Sequence, residues 1–158
     1  MECFTLAPHE GVPNNPALAV RVHRGAADGA AAFEALFEAN GWPPQWQGGV
    51  FDYHHYHSTA HEVLGCYAGS ATLTIGGPGG RRVEITAGDA LMLPAGTGHR
   101  CEAANDDFAV VGAYPVGQDW DVVTQPADHA IRSRIAAVPV PDRDPVTGKP
   151  FQAGTATS

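Results

Sequence analysis

At 158 residues, with 44% hydrophobic and only 16% charged side chains, the chain has the size of one domain and is long enough to bury a core. Its 19 glycines and 13 prolines argue against a helical bundle and for many short strands joined by turns, an all-β protein. A formal net charge of -8, from 9 Lys and Arg against 17 Asp and Glu, repels polyanions and argues against nucleic acid as a partner.

No basic leader followed by an apolar run opens the chain, and no apolar stretch reaches membrane-spanning length, so a cytoplasmic protein without a membrane partner is expected. Cys3, Cys66 and Cys101 are an odd number without metal-type pair spacing and read as reduced thiols. Residues 1–24 form an N-terminal arm of two extended pieces, Cys3–Leu6 and Leu18–His23, around the turn-rich Gly11–Pro16. Such an arm can add a strand to its own sheet or to a partner's. From Asp28 to Asn40 the period changes: Ala30, Phe33, Leu36 and Phe37 recur at three and four residues, Asp28 can cap the start, and Gly41 with Pro43 ends it. This is the one helix expected.

Trp42-Pro-Pro-Gln-Trp46 leads into the most informative stretch, Gly49–Gly69. On a strand, residues i and i+2 share a face, so His55 and His57 can meet a single ion, with Tyr53 on their side and His54 and Tyr56 on the other. A polar turn at Ser58, Thr59 and Ala60 folds the chain back, so that Glu62 offers a carboxylate oxygen to the same point. Strands are expected at Ala71–Ile75 and Arg82–Thr86 about the glycine-rich hairpin Gly76–Gly80, and then at Ala90–Leu93, Gly98–Ala103 and Phe108–Tyr114, the last two joined by a hairpin turn at Asn105-Asp106-Asp107. His99, beyond the glycine-rich hairpin, is the fourth candidate ligand. Three imidazoles and one carboxylate suit one divalent transition metal ion: Fe, Mn, Ni, Zn or Cu. After Tyr114 periodicity is lost; Val138–Pro145 reads as an extended surface segment and Gln152–Ser158 as a disordered tail.

These stretches resemble the paired signatures of the cupin superfamily, G-x5-H-x-H-x4-E-x6-G and G-x5-P-x-G-x2-H-x3-N. Gly49, His55, His57, Glu62 and Gly69 match every fixed position of the first. Gly88, Pro94, Gly96 and His99 match the second, which departs at Ala103, where the family more often has Asn. Pro13-Asn14-Asn15, Gly112-Ala113-Tyr114-Pro115 and Asp144-Pro145-Val146-x-Gly148 are similar to a group of small bacterial cupins without an assigned reaction. The resemblance implies a double-stranded β-helix, a jelly-roll barrel of two antiparallel sheets, with the helix packed outside. It divides a single domain, 1–158, into an arm and helix (1–48), a core with both signatures (49–115) and a C-terminal extension (116–158). Because arms of this kind often pair across cupin dimers, a homodimer is expected.

A divalent ion held by three neutral imidazoles and a carboxylate keeps about one net positive charge, which suits an anionic or bidentate oxygen ligand such as an enolate, 2-oxo acid, hydroxy acid or sugar acid. Arg81, Arg82 and Arg100 fall in a turn or on the outward face, leaving the ion as the electrophile. Tyr53, His61 and Tyr114 are the candidate catalytic residues; a core aromatic or a solvated turn histidine is the plainer account of each. Cys66 and Cys101 share the parity of Glu62 and His99 and so face the interior, where buried thiols are ordinarily inert. Three functions stay open: a metal-dependent enzyme of dioxygenase or isomerase type acting on a small oxygenated metabolite, a small-molecule binding or sensing module without catalysis, and a structural or storage barrel that would need no open coordination position.

Overall fold

The computed structural model describes residues 1–152; the rest of the expected tail, residues 153–158, lies outside the described residues. Strands β1 (Glu2–Phe4), β2 (Val20–His23), β3 (Pro44–Gly48), β4 (Glu62–Ala68), β7 (Ala90–Leu93) and β9 (Ala109–Ala113) form a six-stranded sheet in the order β1-β2-β7-β4-β9-β3. Strands β5 (Ser70–Ile75), β6 (Arg81–Thr86) and β8 (His99–Ala104) form a second, in the order β6-β5-β8. Every pairing is antiparallel. The sheets face each other as a jelly roll without closing into a continuous barrel. No helix among the described residues is long and apolar enough to cross a membrane.

The period of two sorts the six-stranded sheet into two buried faces. In the β4–β7 register Leu64 lies opposite Leu91, and both turn inward with Val20, Val22, Cys66 and Val110 against Leu73, Ile75, Val83 and Ile85 of the second sheet. Val63 lies opposite Met92, and both turn outward, with Ala90, Val111 and Ala113, against helix α1 (Ala30–Ala39). Phe33 and Phe37 of α1 are fully buried there, contributing roughly 1.5–3 kcal/mol each. Phe33 lies so close over β4 that a Cβ on Gly65 would come within 2.5 Å of its ring. Asp28 does not cap this helix. Gly29 holds the N-cap position with φ 94, a conformation that suits glycine, and no side chain bonds the free N–H groups. The C-terminus ends as the sequence suggests: Gly41 has φ 82, and Gly41 and Trp42 donate back to Glu38 and Phe37.

Three expectations are corrected by contacts distant in sequence. Residues 105–107 do not join a hairpin, because β8 belongs to the small sheet and β9 to the large one. The chain after Tyr114 forms a second helix, α2 (His129–Ala137), capped by Asp128, whose carboxylate accepts from the Ile131 N–H. Ile131 and Ile135 seat α2 on Val12, Ala95, Val123 and Tyr56, so Tyr56 turns away from His55 and His57 but into a buried cluster, not to solvent. Finally, Val138–Pro145 is an extended surface segment only in part: Pro139, Val140, Asp142 and Arg143 are exposed, but its end is anchored. Asp144 is buried and ion-paired to Arg21 of β2 at 2.9 Å, Trp42 donates to the Arg143 carbonyl and Asn40 to that of Pro145.

Candidate metal centre

After a bend at Asp52 and Tyr53 the chain passes beside β8, tied by the reciprocal His55–His99 backbone bridge and by Cys101 N–H donating to Phe51, although it forms no regular strand. The bridge brings His55 and His99 together, with ring centroids 4.0 Å apart. Extended geometry keeps His57 on the same side, 5.3 Å from the His99 ring and 5.8 Å from that of His55. Nitrogens of the three rings all lie within 4.8 Å of one another, and all three residues are buried. Glu62, the first residue of β4, lies beside two of the three, its Oε1 3.2 Å from His57 Nε2 and 3.4 Å from His99 Nε2, while the mutually close group itself is the three histidines.

Each imidazole is oriented from behind. Nδ1 of His55 faces the Tyr53 carbonyl at 2.9 Å, Nδ1 of His99 faces that of Thr97 at 3.0 Å, and Nδ1 of His57 faces that of Asp121. A carbonyl only accepts, so Nδ1 carries a proton in each ring and Nε2 is turned to the centre. On the other oxygen of Glu62, the Tyr114 hydroxyl donates at 2.5 Å and in turn accepts from Trp46 Nε1 at 2.8 Å. Strand register explains this contact. Val63 pairs with Ala113, and one further step sets Tyr114 across from Glu62 on the inner face.

Three ring nitrogens thus gather around one point, with the Glu62 carboxylate against two of them and a single phenol O–H as donor. Burial, then the neighbouring His99, pushes His55 down to about 3, keeping it neutral. Burial works against charge on Glu62, but His57 and His99 outweigh it and hold the carboxyl well below the usual range. Burial likewise opposes charge on His57, and the Glu62 carboxylate overrides it, raising the His57 pKa. Burial and the Glu62 charge together drive the Tyr114 phenol far above its ordinary value, so it stays a donor. Without a cation, therefore, a shared proton must separate Glu62 from His57. The donor set fits a divalent metal ion in place of that proton.

The cage floors a cavity of about 350 Å³ walled by Trp46, Val50, Phe51, Leu64, Trp120 and Val122. Among the described residues no Lys or Arg lines it, and Arg81, Arg82 and Arg100 lie elsewhere. Tyr114 lies within the site. Tyr53 does not point into it: its ring is 43% exposed and stacks on Phe51 at 4.9 Å, by the mouth. His61 is neither solvated nor in the cavity. It is 1% exposed, accepting from Ala95 N–H through Nδ1 and facing the Pro139 carbonyl through Nε2, and burial pushes it down to about 4. Cys66 packs in the main core with its pKa raised by burial, and Cys101 packs at that core's edge; neither lines the cavity.

Sequence reasoning missed Trp120 and Asp121. Asp121 orients His57 through its carbonyl while its carboxylate accepts from Ser58 N–H and Oγ–H, and Trp120 lies parallel to Tyr114 at 4.4 Å. Both sit in an aperiodic stretch, and a backbone carbonyl as the partner leaves no mark on residue type.

A cupin domain model matches residues 44–112 of the chain. The uncharacterized protein YjlB of Bacillus subtilis (strain 168) is 37% identical over 146 residues, which cover 90% of this chain and 88% of that protein. A crystal structure of a DUF861 family protein from Thermotoga maritima aligns with a TM-score of 0.40 at 21% identity, over 59% of this chain and 96% of that one.

Proposed function

The chain belongs to the cupin family, and from that premise we propose that it holds one divalent first-row metal ion through His55, His57, Glu62 and His99 and acts on a small oxygenated metabolite. The observation that carries this reading is the donor balance: three ring nitrogens held from behind gather within 4.8 Å of one another, with the Glu62 carboxylate against two of them and one O–H among them. When bound, such an ion supplies Lewis acidity and, where redox-active, a centre for O₂ chemistry of the dioxygenase type. Tyr114 keeps its proton on Oη, aimed at Glu62 Oε2, and so fixes the carboxylate while leaving Oε1 toward the histidines. Trp46 and Trp120 flank Tyr114 and exclude water from that contact. Metal analysis of protein purified anaerobically without an affinity tag, followed by O₂ uptake across small acids and diols, tests the reading. A chain free of first-row metal, and unable to take one up, would overturn it.

A specific feature favours a second reading, a binding module without catalysis. Besides the cage itself, the cavity's described lining has no free acid or base, because Tyr114 is engaged on both sides. Metal and ligand binding without turnover of any compound in the panel would select it. We also propose a homodimer: β1 pairs with β2 of its own chain and leaves its other edge open at the end of the sheet. Light scattering at micromolar concentration would return the mass of two chains, and a monomer would remove the proposal.

A further inference from the structure

We infer that the ligand of this cavity has a flat, apolar, conjugated body carrying two adjacent oxygen donors, as in a catechol or a hydroxy-enone, and is not a sugar acid or a short hydroxy acid. The inference rests on the cage being a metal site and narrows the substrate class proposed for it.

The walls carry the argument. Trp46 lies flat on the backbone of β9, so close that a Cβ on Gly112 would come 2.1 Å from its indole ring. Its N–H is already donated to Tyr114, and Tyr114 and Trp120 stack with their planes 3° apart. These three rings form a braced aromatic face beside Glu62. Phe51 forms another side, edge-on to His55 at 5.1 Å and stacked on Tyr53.

Exposure at the mouth points the same way. Phe51 is 49% exposed, Tyr53 43%, Trp120 40% and Val122 45%. Large apolar side chains left open to water around a single cavity mark a binding mouth that an apolar ligand would cover. At about 350 Å³ the space suits a body of one or two rings.

Polar groups settle what the cavity rejects. The Trp46 N–H and the Tyr114 O–H are both engaged, and no Lys or Arg lines the described wall. Gln47, whose Oε1 accepts from Tyr67, is the one side-chain amide in the described lining; elsewhere each hydroxyl of a sugar acid beyond the chelating pair would lose its water and face indole, phenyl or isopropyl without a partner. A free carboxylate would meet no cation.

The test uses the full chain loaded with zinc, which is redox-silent, with metal content measured first. Calorimetric titration with catechol and with gluconate compares two bidentate oxygen donors on unlike bodies. Catechol should bind at least about tenfold tighter. Trp120→Ala and, separately, Phe51→Ala, each titrated at one zinc per chain, should weaken catechol severalfold more than gluconate. At one zinc per chain, gluconate binding as tightly as catechol would overturn the inference and leave the metal reading standing, as would equal weakening of both ligands by both substitutions. If the chain takes up no zinc, the metal reading fails alone. Phenol with the metal-free protein then decides, by saturation-transfer NMR: saturable binding supports the flat-body ligand and its absence overturns it.

Discussion

The two faces of the six-stranded sheet each bury a carboxylate among basic side chains, with opposite results. On the outer face Asp144 gives Oδ2 to Arg21 at 2.9 Å and Oδ1 to the backbone N–H groups of Val146 and Thr147 at 2.8 Å each, with His23 Nε2 at 3.4 Å. Burial opposes the charge, but His23 and those N–H groups hold Asp144 well below the usual carboxylate range. The chain supplies a cation and donors to both carboxylate oxygens, although Arg21 Nε and His23 Nε2 stay without hydrogen-bond partners, and the product is a clasp that fastens residues 142–152 to β2. On the inner face Glu62 is equally buried, yet its neighbours are imidazole lone pairs and the only hydroxyl donor is Tyr114. Burial of an ionisable group is thus common to both. What separates a clasp from a site is whether the chain itself supplies the positive charge and the donors.

The largest effect should come from breaking the inner face. Replacing His57 by Ala removes a lone pair that nothing else supplies, and should cost more than the roughly 100-fold in metal affinity that loss of an orienting partner can cost. The sheets should remain folded, since their core does not depend on an ion. His54→Ala, one residue away on the opposite side, should leave metal content as it was. Elemental analysis of the two dialysed variants makes the comparison; equal loss in both, or in neither, would show that the cage is misassigned.

The outer face should break differently. Asp144→Ala strands the buried Arg21 guanidinium and should cost about 3–5 kcal/mol in urea unfolding. Metal bound per folded chain should not change. Were it to fall in step with stability, the two faces would be one coupled unit and the contrast between them would collapse.

The contrast also marks how far the sequence could be read. The inner face was legible because its patterns are short: His55 and His57 two apart, Glu62 across one turn, and His99 at the end of the second signature, after Gly88, Pro94 and Gly96. Strands β5, β6 and β7 were legible by alternation between glycine turns. The outer face was not, because Asp144 meets Arg21 across 123 positions and no local period announces such a pair. Helix α2 escaped for a related reason. Only Ile131 and Ile135 mark its buried face, the remainder being polar residues and alanines, and its N-cap Asp128 stands in a run that otherwise reads as loop. His61 misled for the same cause: its partners Ala95 and Pro139 come from elsewhere in the chain.

Tyr114→Phe sharpens the comparison with a smaller change. It deletes the one hydroxyl donor on the inner face without touching a lone pair, leaving Glu62 Oε2 and Trp46 N–H without their partner. Metal affinity should fall about 10–100-fold, with a stability cost of about 1–3 kcal/mol. A competition titration against a chromophoric chelator reads the first, thermal unfolding the second. Unchanged affinity would mean that Tyr114 only packs.

The smallest expected effect concerns His61, which follows the outer-face logic although it precedes Glu62: a buried ring with both nitrogens served by the chain. Its ordinary pKa is 6.5 and burial lowers it to about 4, so between those values the unfolded chain binds more protons than the folded one. Stability from this residue is therefore full above about pH 6.5, declines as pH falls through the window, and levels off below about 4. Between pH 7 and 5.5 the loss is about 1 kcal/mol, from a differential of about 1.36 kcal/mol per pH unit. A glutamine at this position can accept from Ala95 and donate to Pro139 but cannot titrate. In metal-free protein His61→Gln should flatten the urea-unfolding free energy over that interval by the same amount, leaving the contribution of the cage histidines in both proteins. An identical pH slope in wild type and variant would show that His61 carries no protonation penalty and that its two hydrogen bonds do not keep it neutral.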